Sequence, residues 1–211
     1  MYLSRVEIDF NSRVNMRELN HVGAYHNWVE QAFPEEVDRK IRSRKLWRID
    51  CLDGKRYLLL VSEREPSREL LESRGVKGSF ASKEYDTFLS TIHTGDQFRF
   101  RIVLNPVHAV LEDERKRGKV YPLYAEKDQL QFLLDRGPKH GFTVPEDQVM
   151  IVERGQERLL KKGNHSTNLV KAVYEGRLKV LDSSRFVDLL IHGMGREKAY
   201  GFGMMTVIKV K

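Results

Sequence analysis

The sequence predicts an α+β protein built from two α+β units in tandem, the first of them close to ferredoxin-like. Three observations lead there. Residues 1–106 read in order as strand, helix, strand, strand, irregular stretch and strand, close to a βαββαβ unit with a degraded second helix. Residues 107–211 read as a charged connector followed by a second mixture of helix, strands, helix and strand. Hydrophobic residues make up 40% of the 211 and charged residues 32%, which is enough apolar side chain for packed cores and unlike a disordered chain.

Each element has its own signal. Near the start, Val6, Ile8 and Phe10 alternate with Arg5, Glu7 and Asp9, the pattern of a half-buried strand. From Met16 to Phe33 the spacing becomes helical. Leu19, Val22, His26, Val29 and Phe33 follow at steps of 3, 4, 3 and 4, so they share one face, and Pro34 closes the run. Residues 45–52 and 55–61 flank Asp53-Gly54, a hairpin signal. Residues 63–95 carry many charges and several glycines and show no clear period. Phe98, Phe100, Ile102 and Leu104 then alternate with Arg99, Arg101 and Val103 in a strand that ends at Asn105-Pro106 and completes the first unit. Beyond the connector at 107–125, Leu130, Leu133 and Leu134 mark a helix over 126–136. Two short strands, 149–152 and 158–162, precede a turn at Gly163-Asn164 and a long strand over 168–181 with a bend at Gly176. Asp182 is placed to cap a helix over 183–192 whose apolar face holds Phe186, Val187, Leu190 and Ile191. The last strand alternates Ile208 and Val210 with Lys209 and Lys211.

Composition narrows the function. The formal net charge is +7, which suits a polyanionic partner, nucleic acid first and an anionic membrane second, and which solubility alone also accounts for. A single cysteine, Cys51, excludes an intrachain disulfide and a cysteine-ligated zinc site within the chain. The N-terminus reads as a strand rather than a signal peptide, and no apolar run approaches the ~20 residues that span a bilayer. A cytoplasmic protein without a membrane partner is therefore expected. No H-x-x-x-H or H-E-x-x-H pair is present, which argues against a zinc hydrolase. The acidic triplet Glu112-Asp113-Glu114 runs straight into Arg115-Lys116-Arg117 and reads as a solvated loop. No metal or cofactor is expected.

Three features can carry chemistry. The stretch Gly193 to Gly203 arranges Gly193, Gly195, Gly201 and Gly203 as two G-x-G pairs around Arg196 and Lys198. Exposed peptide N–H groups beside cations suit a phosphate, although the helix-to-strand order is the reverse of the Rossmann and Walker loops. A helix cap followed by a plain turn is the alternative. The segment 154–179 holds Arg154, Arg158, Lys161, Lys162, Lys171, Arg177 and Lys179 against Glu157 and Glu175. A hairpin there would lay Arg158, Lys161 and Lys162 along a duplex backbone, and a strand face kept soluble by lysines fits equally well. His26 sits on the apolar helical stripe, either as a core histidine or as a general acid/base facing a cleft. Tyr25 lies about 100° around the helix from it.

Taken in order, Met1-Tyr-Leu-Ser-Arg-Val6, His26 seven residues before Phe33-Pro34, Phe98 to Pro106, Tyr174-Glu-Gly-Arg-Leu178 and the paired glycines of 193–203 form a recognisable series. The chain resembles the CasE family of CRISPR repeat-processing endoribonucleases, the type I-E (Cascade) members of the RAMP superfamily, almost from end to end. The resemblance implies tandem ferredoxin-like (RAMP/RRM-like) domains and binding of the precursor CRISPR RNA repeat hairpin. It also implies metal-free cleavage at the 3′ base of the stem by 2′-OH attack, which leaves 2′,3′-cyclic phosphate and 5′-OH ends. The product would stay bound among the other Cascade subunits. The family's catalytic histidine falls on His26, its glycine-rich loop on Gly193 to Gly203, and its RNA-groove hairpin near Arg158 to Lys162. Where some relatives carry a tyrosine three residues before the histidine, this chain has Gly23, and Tyr25 is the candidate to assist. A non-catalytic RNA-binding subunit of the same superfamily, with His26 structural, is the alternative.

Overall fold

The computed structural model describes residues 1–110, 118–160 and 165–210. The chain opens with β1 (Tyr2–Glu7), α1 (Arg13–Glu18), α2 (Val22–Gln31) and α3 (Pro34–Arg39). Next come β2 (Lys45–Leu52), β3 (Lys55–Ser62), α4 (Arg68–Glu72), β4 (Ala81–Glu84) and α5 (Asp86–Leu89). Then follow β5 (Gln97–Leu104), β6 (Val107–Val110), β7 (Lys119–Pro122), α6 (Glu126–Leu134) and β8 (Phe142–Thr143). The chain ends with β9 (Val149–Leu160), β10 (Ser166–Val180), α7 (Ser183–His192) and β11 (Met205–Lys209).

Two sheets share one plan. The first has the order β2-β3-β1-β4 and the second β11-β5-β10-β8, with β9 also paired along β10. The neighbouring strands of both run antiparallel, as a ferredoxin-like unit requires. The fold is thus α+β with two tandem ferredoxin-like units. Val22, Trp28 and Val29 of α2 pack on Val6, Leu58 and Leu60 of the first sheet. Phe186, Leu189 and Leu190 of α7, with Phe132 and Leu133 of α6, cover Phe98, Phe100 and Ile102 of the second.

The two cores interlock. Leu46 and Val61 of the first sheet join the second cluster, while Val103, Leu159, Leu169 and Val173 of the second sheet join the first. Arg48 of β2, 1% exposed, crosses the seam. Its guanidinium donates to the Arg101 carbonyl at 2.9 Å, the Met204 carbonyl at 2.9 Å and Thr206 Oγ1 at 2.8 Å. Asp50 accepts the rest of its charge. A buried guanidinium is tolerated only when its donors are satisfied in this way.

Several expectations change. The strand over 97–104 does not complete the first unit. As β5 it pairs with β10 and β11, because its apolar face meets α6 and α7. The first sheet is completed instead by β4, a short edge strand within the unreadable 63–95 region. The helix expected over 16–33 is two helices, α1 and α2, interrupted at residues 19–21. Part of the connector forms the β6–β7 hairpin, while the acidic triplet and its basic neighbours lie outside the described residues. The two short strands before Gly163 are one strand, β9, as far as Leu160. The irregularity in β10 falls between Val173 and Tyr174 rather than at Gly176. Gly176 is needed for a close approach: a Cβ there would lie 2.2 Å from the Gln148 carbonyl oxygen. Two local expectations hold. Asp182 caps α7 by accepting from Arg185 N at 3.0 Å, and Asp53-Gly54 turns β2 into β3 with φ of 51° and 74°. Among the described residues no helix is long and apolar enough to cross a membrane.

Candidate active site and nucleic-acid interface

The site begins with α2. Its buried stripe presses on the first sheet, and at the rim of that stripe stands His26, with 27% of its side chain exposed. One turn on, Glu30 Oε1 lies 3.9 Å from His26 Nδ1. The other Glu30 oxygen is 3.5 Å from Lys45 Nζ, and Lys45 is held by Glu36 at 2.6 Å. Lys45 is 2% exposed and sits over the Phe33 ring, with Nζ 4.8 Å from its centroid. Burial opposes ionisation of Glu36, but hydrogen bonds from Lys45 and Ser43 outweigh it and hold the carboxyl at about 2. Burial also depresses the His26 pKa; Glu30 opposes this, and the cations Arg42 and Lys45 add to it. This balance favours the neutral imidazole, the form that accepts a proton.

Tyr25 does not join His26 at the rim. It is buried, with its ring stacked 5.9 Å from Trp47, and burial pushes its hydroxyl pKa up. The ring beside His26 is that of Tyr200, at 5.6 Å between centroids and 72° between planes. Tyr200 and Tyr25 both line a cleft of about 450 Å³ between the units, which also reaches His21, Arg56 and Lys171. Sequence reasoning missed Tyr200, although it is the one aromatic residue between the two glycine pairs. It missed Arg42 and Arg44 as well. Both are exposed just before β2, and neither has a partner among the described residues.

The glycine-rich loop docks on the first unit. Gly193, Gly195, Gly201 and Gly203 all have positive φ. Met194 N donates to the Gly203 carbonyl at 3.1 Å, Gly203 N to the Val103 carbonyl at 2.7 Å, and Gly193 N to the Leu189 carbonyl at 2.8 Å. The peptide groups of Gly193 and Gly203 thus hold the loop together and are not open to a ligand. Trp47 Nε1 donates to the Ala199 carbonyl at 2.9 Å. A Cβ on Gly201 would meet the Trp47 ring at 2.8 Å, so glycine is required there by packing as well as by φ. Of the two loop cations, Arg196 is exposed. Lys198 is half-buried, and its pKa is lowered by burial and by Arg44, with Asp188 opposing.

The hairpin of β9 and β10 reaches across the seam to α2. Leu159 is buried in the first core, and Arg158 beside it is exposed with no ion pair among the described residues. His21, at the start of α2, has its pKa lowered by burial and by Arg158. Lys161 and Lys162 lie outside the described residues. Arg154 is engaged by Glu126, Gln129 and the Tyr124 carbonyl, and Lys171 by Glu153 and Glu157. Arg42, Arg44, Arg158 and Arg196 are exposed and without an internal partner among the described residues, and of these Arg42 acts on the His26 imidazole. Among the described residues no three His, Cys, Asp or Glu side chains gather as metal ligands would.

Comparison with known proteins gives this arrangement a family. The chain is 26% identical over 218 residues to the CRISPR-associated endoribonuclease Cse3 of Thermus thermophilus, across 98% of this chain and 99% of that protein. A structure of CRISPR endoribonuclease Cse3 bound to a 19 nt RNA superposes with a TM-score of 0.81 at 24% identity, covering 99% of this chain and 100% of the other. A chain in a CRISPR RNA-guided surveillance complex, pre-nicking, gives a TM-score of 0.69 at 16% identity, with both chains fully covered. The model of the CRISPR associated protein family matches residues 1–209. With both sheets and the His26 helix inside that match, the chain belongs to the family of CRISPR associated proteins.

Proposed function

We propose that the protein is a metal-independent endoribonuclease that binds the CRISPR repeat hairpin and cuts precursor CRISPR RNA at the 3′ base of its stem. The observation that carries this reading is His26: a partly exposed imidazole at the seam of the two units, with Arg42, exposed and without an internal partner among the described residues, acting on it. The similarity to a protein named as a CRISPR-associated endoribonuclease supports it.

In this mechanism the nucleophile belongs to the RNA. His26 takes the proton from the 2′-OH, and the 2′-oxygen attacks the adjacent phosphorus. The P–O5′ bond breaks, the 5′-oxygen takes up a proton, and the products are a 2′,3′-cyclic phosphate and a 5′-OH. Arg42, Arg196 and Lys198 offset the charge that builds on the phosphate. Arg158 on the β9–β10 hairpin, together with Lys161 and Lys162, follows the backbone of an A-form stem, which is read by shape rather than by base edges. Gly193, Gly195, Gly201 and Gly203 shape the loop that brings those cations in, and Tyr25 supports the helix from within the core. The first unit thus carries the catalyst and the second the RNA grip. After cleavage the protein keeps its product and works beside the other subunits of a type I-E surveillance complex in the cytoplasm.

The test is cleavage of a cognate repeat RNA in EDTA by wild type and His26→Ala. Wild type cuts and the variant does not. No cutting by wild type in EDTA would refute the metal-free mechanism, and a fully active variant would remove His26 as catalyst and leave an RNA-binding subunit. A 2′-deoxy nucleotide at the scissile position blocks cleavage and leaves binding; cleavage of that analogue would rule out intramolecular attack.

A further inference from the structure

The His26 imidazole has two neighbours from different parts of the molecule. Glu30 approaches Nδ1 from one turn along α2, and the Tyr200 ring meets the imidazole from the loop of the second unit. Neither neighbour is free to drift. Glu30 is held by Lys45, which is fixed in turn by Glu36. Tyr200 is bracketed by Ala199, whose carbonyl accepts from Trp47, and by Gly201, which lies against the Trp47 ring. Glu197 and Gly201, at φ of 58° and 86°, fix the short turn on either side of it. Lys45 and Trp47 are two residues apart on β2 and therefore point to the same face of the sheet. One strand thus sets both contacts. The Tyr200 hydroxyl has no hydrogen-bond partner among the described residues, so what the fold fixes is the ring.

We propose that Tyr200 is a positioning residue for His26, acting with Glu30 as a two-sided clamp that spans the two units. Glu30 favours the tautomer with the proton on Nδ1 and leaves Nε2 to exchange protons with the substrate. The Tyr200 ring fixes the plane of the imidazole. The catalytic geometry is then complete only while the glycine-rich loop is seated on Trp47. This rests on the endoribonuclease reading above.

The test is single-turnover cleavage of a synthetic repeat-hairpin RNA, with its binding measured alongside. The variants are His26→Ala, Tyr200→Leu, Tyr200→Phe and Glu30→Gln. Tyr200→Leu slows the cut ~10- to 100-fold, the scale of a misplacement near 1 Å, while affinity stays within about threefold. Tyr200→Phe keeps the ring edge and returns the rate to within about threefold of wild type. The charged groups facing His26 are Glu30, Arg42 and Lys45, of which Glu30 alone favours the imidazolium. Glu30→Gln therefore moves the acid limb of the pH–rate profile to lower pH, and Tyr200→Leu leaves that limb in place. The clamp is overturned by a Tyr200→Leu enzyme at wild-type rate, by Tyr200→Phe as slow as Tyr200→Leu, by a loss in Tyr200→Leu that lies in affinity instead of rate, or by an unmoved acid limb in Glu30→Gln. Tyr200→Phe and Glu30→Gln keep the question open to measurement should the leucine variant fold poorly. Full activity of His26→Ala would sink the underlying reading itself, whereas an inactive His26→Ala beside a fully active Tyr200→Leu sinks only the clamp.

Discussion

The two ferredoxin-like units share a strand order and differ in what they do with their central hairpin. In the first, β2 and β3 are eight residues each and turn tightly at Asp53-Gly54. In the second, β9 and β10 run to 12 and 15 residues, and their outer ends leave their own core for the core of the other unit. Leu159 and Leu169 are buried there, against the helix that carries His26. Under the proposed function the first unit offers one reactive side chain on a firmly packed helix, and the second offers arms that reach it. On that reading neither unit holds a complete site, in keeping with the Tyr200 ring of the second unit lying against His26 of the first.

The largest test of that division is loss of the reactive side chain. His26→Ala should slow cleavage ~10²- to 10⁴-fold, the usual worth of a general acid/base, with RNA affinity nearly unchanged, as gel-shift and single-turnover assays would show. A matching loss of affinity would mean that the first unit also grips the RNA.

A second break falls on the support behind His26. Lys45 and Glu36 are both nearly buried, so Lys45→Ala leaves a carboxylate stranded and should cost ~3–5 kcal/mol in denaturant unfolding. The same pair makes stability depend on pH. Glu36 is depressed from its ordinary 4.5 to about 2 in the fold, so its contribution is complete above about 4.5 and fades as pH falls towards about 2. A flat stability profile across that window would contradict the pairing.

Glycines in the two units sharpen the comparison. Gly54 and Gly203 have φ of 74° and 85°, yet a Cβ on Gly54 meets nothing within 4 Å while one on Gly203 would lie 2.4 Å from the Met194 carbonyl oxygen. Gly54→Ala should cost ~1 kcal/mol for its left-handed backbone alone. Gly203→Ala adds a steric clash and should exceed that, at ~2–3 kcal/mol, with a loss of cleavage as the loop shifts off Trp47. Equal costs in thermal unfolding would mean that the loop yields without strain.

Local chemistry made part of this legible in the sequence. The stripe of α2, the Asp182 cap and the Asp53-Gly54 turn are read from residues a few positions apart, and His26 stood out as the polar member of an apolar stripe. The misses are non-local. Alternation marks β5 as a strand but says nothing of its partners, and it completed the wrong unit on paper because its sheet is closed by β10, far along the chain. The strand that does complete the first sheet, β4, is short and mostly exposed and leaves no period to read. Glu30, Lys45 and Glu36 look like ordinary surface charges until α2, α3 and β2 are packed together. Tyr200 likewise gains meaning only when the loop of one unit lies against the helix of the other.

The smallest expected effect concerns the reach of the second unit. Arg158 is exposed, unpaired among the described residues, and anchored by its buried neighbour Leu159. If it contacts one phosphate of the stem, Arg158→Ala removes one released counterion. The slope of log affinity against log salt should then fall by about 1, while the cleavage rate of bound RNA stays the same. Arg154 provides the control. It too is a cation on β9, but Glu126, Gln129 and the Tyr124 carbonyl already engage it, so Arg154→Ala should leave the salt slope unchanged. Should the two variants lower the slope alike, the RNA would lie along the whole strand, and the distinction between paired and free cations would fail. A drop confined to Arg158 would place the RNA at the end of the hairpin that crosses to His26.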